Sequence, residues 1–171
     1  MWAKNKQSGF TIVELLIVIV VIGILAAITV VAYNGIQSRA NDTAVQSDLT
    51  NIAKKYELYK VDNDTYPFGG TLSLGAAFKI NISKNAYDIT KPYQLLNCTS
   101  SSSPGTDFAV LAVSKSGKKF YVSSNASGSV KEYTATDVWL SLSTCVNVLA
   151  GSAGNGAGYD STNGWRAWTS L

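Results

Sequence analysis

A chain of 171 residues that is 46% hydrophobic holds enough material for one globular domain with its own core, and too little for two. It has no histidine, which excludes Ser-His-Asp triads, histidine acid/base catalysis and His-ligated zinc, and its two cysteines are too few for a four-thiolate metal site. The formal charge of +3 includes Lys4 and Lys6; the chain after Gly9 balances to +1, which does not call for a polyanionic partner.

The first element is apolar. No side chain in residues 15–28 is polar, and the run resumes after Thr29 through Ala32. A secretory signal peptide would explain Lys4 and Lys6 as its basic start, the apolar stretch as its middle and residues 30–32 as a cleavage site. A plain membrane anchor needs about 20 apolar residues, and residues 10–32 supply that length if Glu14 is tolerated. Both treat the acid as incidental. Buried acids in lipid are costly and lie near an interface or a partner, and if the chain is cut after Gly9 the new α-amino group of Phe10 is the only cation close to Glu14. Within one helix the two are about 6 Å apart in rise.

Gly9-Phe10-Thr11-Ile12-Val13-Glu14, continued through LLIVIVVIGILAAITVVAYNGIQSRA, resembles the processing site and membrane helix of type IV prepilins and the related type II secretion pseudopilins. The resemblance covers residues 9–40. It implies a leader of residues 1–9, cleavage between Gly9 and Phe10, N-methylation of Phe10, and an assembly role for Glu14 and Thr11, with Glu14 neutralising a neighbouring subunit's amino terminus. The implied partners are further copies of the chain in a helical filament, a prepilin peptidase/N-methyltransferase, and an assembly platform with its ATPase. The implied location is the cytoplasmic membrane, crossed once, and then the cell surface. In one respect the sequence departs from the common pilin pattern: Val31 stands where a proline is frequent, which leaves Asn34-Gly35 as the expected weak point of the helix.

Beyond residue 32 apolar residues at Tyr33, Ile36, Ala40, Ala44, Leu49, Ile52, Tyr56 and Tyr59 keep a helical spacing, while Arg39, Asp42, Asp48, Lys54 and Lys55 lie mostly off that stripe. The spacing predicts one helix over residues 10–32 and an amphipathic continuation over 33–61. Asp62-Asn63-Asp64 is turn chemistry, and Pro67 forces Tyr66 out of the helical region. The passage YKVDNDTYP resembles the segment that follows the long helix in many pilins and pseudopilins. Its acids could also be read as calcium ligands, but the glycine and distal glutamate of an EF-hand loop are missing.

Residues 62–171 read as a β-rich head with a Gly-rich tail. Residues 108–114 and 119–123 flank Lys115-Ser116-Gly117-Lys118 as a hairpin, and residues 130–135 give a third strand. Residues 137–148 fit a buried strand or a strand and helix mixture, residues 81–89 an irregular or short helical connection, and the serine-rich 99–106 an exposed loop. Outside the cytoplasm Cys98 and Cys145 would most simply form one disulfide, the alternative being two buried thiols. In the tail, Tyr159, Trp165 and Trp168 serve either to pack it on the sheet or to form an aromatic adhesion patch. Arg166, Lys118 and Lys119 make a thin case for nucleic acid.

The expected fold is α+β, a long N-terminal helix with an antiparallel sheet packed on its polar half. The expected function is structural: a subunit of a type IV pilus-like filament, or else a pseudopilin of a type II secretion or competence DNA-uptake machine, with no enzymatic activity, cofactor or metal. A membrane-anchored exoenzyme or binding domain that does not polymerise is the third class.

Overall fold

The computed structural model describes residues 9–67, 80–88, 90, 93–100, 105–135, 144–149, 152–157, 159–160 and 164–165. They divide into two compact units, Met1–Gln37 and Ser38–Leu171. Helix α1 (Ile12–Asn63) passes through Gly23 and Asn34-Gly35 without a break in its assignment.

In the first unit α1 has no core of its own. Its large apolar side chains are all exposed in the single chain, from 86% at Ile12 to 48% at Val21. The helix is long and apolar enough to cross a membrane. Thr29, the one hydroxyl in the run, donates its Oγ1–H to the Ala26 carbonyl at 2.9 Å, so that hydroxyl is satisfied within the helix.

The second unit is built on a five-stranded antiparallel sheet in the order β4-β3-β2-β1-β5, with β1 Leu95–Ser100, β2 Phe108–Val113, β3 Lys119–Ser123, β4 Lys131–Glu132 and β5 Ser152–Ala157. One face receives α1: Val45, Leu49, Ile52, Ala53 and Tyr56 pack with Leu95, Phe108, Val110, Ala112, Phe120 and Val122. The Phe108 ring lies 4.5 Å from that of Tyr56 and 4.8 Å from that of Tyr66. The other face, Leu96, Cys98, Ala109, Leu111 and Val113, is covered by Cys145 and Leu149, on and just after the short helix α2 (Thr144–Val148). Covered on both sides, β2 is buried at every position, which is why it reads FAVLAV with no alternation. A separate two-stranded pair joins β6 (Tyr159–Asp160) to β7 (Gly164–Trp165).

The expected hairpin is β2–β3, and Gly117 takes the left-handed φ of 92° that its turn needs. Helix α1 runs to Asn63, whose side-chain amide donates to the Tyr59 carbonyl at 2.9 Å; Asp64, at φ 59°, then ends it in the left-handed region.

Three expectations need correction, and one open reading is narrowed. Residues 99 and 100 are not the start of an exposed loop: they close β1 by pairing with β2 and β5, and Thr99 is buried. Of residues 130–135 only Lys131 and Glu132 pair, because β4 is a sheet edge whose two side chains face solvent. Residues 144–148 of the ambiguous stretch are helical, and 136–143 lie outside the described residues. Residues 152–157 of the supposed tail are a strand of the main sheet, held by backbone pairing with β1. The packing or adhesion roles of Tyr159, Trp165 and Trp168 concern side chains outside the described residues.

Candidate processing and assembly site

Gly9, Phe10 and Thr11 precede the helix, and Ile12 is its first residue. Thr11 is thus the N-cap and Glu14 the third helical position, the Thr-x-x-Glu spacing of a capping box. Both halves of that box are present. The Glu14 N–H donates to Thr11 Oγ1 at 3.2 Å, and Glu14 Oε2 accepts from the Thr11 N–H and the Thr11 hydroxyl, each at 2.7 Å. In the single chain the carboxylate is therefore held in a fixed place by Thr11. The Thr-x-x-Glu signal was available in the sequence, where the acid was weighed only against a cation.

The structure places Gly9 in open space: a Cβ there would meet nothing within 4 Å. The fold makes no demand for glycine at this position, so any such demand comes from whatever binds the segment. Phe10 is 90% exposed beside it, in non-helical chain of the kind a peptidase can engage.

Two acids expected on the solvent side of α1 are buried instead. Asp48 accepts hydrogen bonds from the Ser83 N–H at 2.7 Å, the Ser83 hydroxyl at 3.3 Å and the Tyr87 hydroxyl at 3.0 Å. Asp42 accepts from the Ser116 hydroxyl in the β2–β3 turn. Lys115 in the same turn donates its N–H to the Ala86 carbonyl at 2.7 Å, so helix, connection and hairpin turn are tied at one end of the sheet. Burial raises the Asp48 carboxyl above its ordinary range despite these bonds, and burial with the adjacent Asp48 raises the Tyr87 phenol. Tyr66, donating to Glu57 at 2.9 Å, is pushed up to about 12 by burial first and that bond second.

Cys98 in β1 and Cys145 in α2 form a disulfide with both residues fully buried. Among the described residues no group of three or more acids or cysteines is placed to hold a metal. Lys118 pairs with Glu132 at 3.4 Å on the exposed edge of the sheet, and the sequence's thin case for nucleic acid gains nothing from it.

A lipid-suited helix that continues as the backing of an antiparallel sheet is an α+β pilin-like fold. Residues 4–30 match the prokaryotic N-terminal methylation motif. Over 64 residues the chain is 39% identical to the type II secretion system core protein G of Aeromonas hydrophila, a match covering 37% of this chain and 45% of that one. The protein of the same name from Escherichia coli is 39% identical over 67 residues, 39% of this chain and 46% of that one. The type IV wide pilus major component PilA4 of Thermus thermophilus is 44% identical over 62 residues, 36% of this chain and 47% of that one. The chain thus spans a little under half the length of the relatives it matches.

Proposed function

We propose that this chain is a structural subunit of a type IV pilus-like filament, made as a precursor and assembled from the cytoplasmic membrane. The observation that carries the reading is one register: Gly9, Phe10 and Glu14 fall inside the matched methylation motif, at the start of a helix whose apolar side chains have no cover in the single chain. Residues 1–9 are the leader, removed after Gly9 by a prepilin peptidase that also methylates Phe10. Residues 10–32 cross the membrane and then form the filament core, 33–61 back the head, and 62–171 present it at the cell surface.

Cleavage gives Phe10 a cationic amino group four residues before Glu14. Thr11 fixes Glu14 from one side. The carboxylate, which offers about four lone-pair sites, then takes the amino terminus of a neighbouring subunit as that subunit leaves the bilayer. The role is one of binding and register, with no catalytic step assigned to the chain; the peptidase, assembly platform and ATPase act on it as partners.

The similarity to core protein G supports a second reading, a pseudopilin of a type II secretion or DNA-uptake machine that forms a short filament. Length measured by electron microscopy on cells separates the two. Both predict that intact mass spectrometry of the mature protein finds a chain beginning at Phe10 with one added methylene, and that changing Gly9 to a bulky residue leaves the leader attached. A mature chain beginning at Met1 or Tyr33 refutes both in favour of an anchor or a signal peptide. Glu14→Val should be processed and membrane-bound yet form no filaments; normal filaments would remove the pairing role.

A further inference from the structure

Five asparagines stand two positions before a serine or threonine with no proline between: Asn41, Asn63, Asn81, Asn97 and Asn125. That triplet is the acceptor pattern for N-linked saccharides on exported proteins, and it carries a physical requirement besides its letters. The asparagine has to lie at the surface, with its amide and the following hydroxyl both available. The fold discriminates among the five.

Four are engaged or enclosed. Asn41 lies inside α1, and the hydroxyl of Thr43, two positions on, donates to the Arg39 carbonyl at 2.9 Å. Asn63 ends the same helix with its amide given to the Tyr59 carbonyl. The Ser83 hydroxyl that would serve Asn81 is committed to Asp48 at 3.3 Å, together with the Ser83 N–H at 2.7 Å. Asn97 is 2% exposed on an interior strand of the sheet.

Asn125 differs on each count. It lies between β3 and β4 in a single 3-10 turn, Ser124–Ala126, and both it and Ser127 are exposed. Among the described residues no hydrogen bond engages either side chain. The turn is closed by backbone bonds alone, from the Ser127 N–H to the Ser124 carbonyl at 3.2 Å and from the Gly128 N–H to the Ser123 carbonyl at 3.3 Å. Ser127 and Gly128 also form one wall of an open groove along α1, a cavity of about 540 Å³ whose other wall includes Leu58 and Val61. A bulky group attached at this turn therefore has room on the side facing the helix. The Cys98–Cys145 disulfide is a bond of oxidising compartments, where such an attachment is made.

We propose that Asn125 is an N-glycosylation site, with Ser127 as the hydroxyl of its acceptor triplet. The donor class is a polyprenyl diphosphate-linked saccharide at the outer face of the cytoplasmic membrane. Asn125 Nδ2 forms a bond to C1 of the first sugar, the bond from C1 to the diphosphate oxygen breaks, and its electron pair leaves with the polyprenyl diphosphate. The Nδ2 proton passes to a base of the transferase, and nothing is oxidised or reduced. The chain is the acceptor and performs no catalytic step. The location rests on the proposed function above, which puts the head outside the membrane.

The test is mass spectrometry of the chain purified from cells that make it. Trypsin cuts after Lys119 and Lys131, so Asn125 is the only asparagine in the peptide 120–131. That peptide should carry an added saccharide, and electron-transfer fragmentation should place it on Asn125. Asn125→Gln and Ser127→Ala should each abolish the addition and Ser127→Thr should keep it, while Asn63→Gln and Asn81→Gln leave it unchanged. Thiol titration showing the Cys98–Cys145 bond intact reports that each variant has folded. An unmodified peptide, a saccharide on one of its serines, or an addition that survives Asn125→Gln or Ser127→Ala overturns the proposal. A methylated chain beginning at Phe10 with no saccharide does so while leaving the filament reading standing, and a chain beginning at Met1 with the saccharide on Asn125 does the reverse.

Discussion

Breaking the Cys98–Cys145 disulfide is expected to cost about 4 kcal/mol of head stability. The figure follows from the 47 positions that the bond spans: closing a loop of that size removes about 13–14 cal/mol/K from the unfolded chain, or about 4 kcal/mol at 25 °C. The location of the bond explains why the native state also depends on it. α2 has five residues, far below the length at which an isolated helix holds together, yet Cys145 within it and Leu149 after it cover Leu96, Ala109 and Leu111. The assay is urea unfolding of the detergent-solubilised chain at pH 7, with and without reductant, followed by intrinsic fluorescence. At a slope near 2 kcal/mol/M the midpoint should fall by about 2 M, and the slope should steepen because the reduced unfolded chain exposes more surface. Cys98→Ala with Cys145→Ala should show the same fall plus a packing loss. A midpoint change under about 0.5 M, with the bond shown broken by thiol titration, would refute the loop-closure account.

Two further substitutions probe the buried polar groups. Asp48→Ala leaves the Ser83 N–H and the Tyr87 hydroxyl without their acceptor and should cost about 1–3 kcal/mol for each donor orphaned, read by urea unfolding at pH 7. Asp48→Asn should do no such damage. Its oxygen can still accept from Ser83 N–H and Tyr87, and its amide can donate to the Ser83 hydroxyl. Burial raises the Asp48 carboxyl, so the folded head holds that proton more tightly than the unfolded chain does. The resulting stability is fully present below the unfolded value of about 3.9 and is lost as pH rises through the higher folded value. Asp48→Asn should flatten that fall above about pH 4, and an unchanged pH profile would contradict the assignment. Asn97 in β1 is 2% exposed with neither side-chain oxygen nor nitrogen hydrogen-bonded, so Asn97→Val should raise stability by about 1–3 kcal/mol in the same assay.

What could be read from the sequence tracks how the residues report their surroundings. The β2–β3 hairpin was legible because two apolar runs flank a turn whose glycine must take positive φ. β1 was missed because a central strand reading LLNCTS mixes buried Asn97 and Thr99 with its leucines, and its side chains show no alternation of water and core. β5, reading SAGNGA, has almost no side chains from which a period can be taken; it is a strand because the free edge of β1 supplies hydrogen-bond partners, a fact of the assembled sheet. The two acids of α1 were misplaced for a related reason. An acid on a helix defaults to solvent, and only the folded positions of Ser83, Tyr87 and Ser116, 35 to 74 residues away, make Asp48 and Asp42 interior. At the N terminus the residues concerned are neighbours in sequence, which is why Gly9, Phe10 and Glu14 could be singled out there and the bond between Thr11 and Glu14 follows from local geometry.

The same distinction explains the uneven character of α1. Its first stretch is apolar on every side, as a helix is when lipid or other helices surround it. Its second stretch gives Val45, Leu49, Ile52 and Tyr56 to the sheet. A helix whose only task was to back a sheet would be polar opposite that stripe, and Arg39, Lys54 and Glu57 satisfy that expectation. Leu58 and Val61 do not, and both line the open groove. Exposed apolar groups beside an open groove need cover more than an isolated surface leucine does.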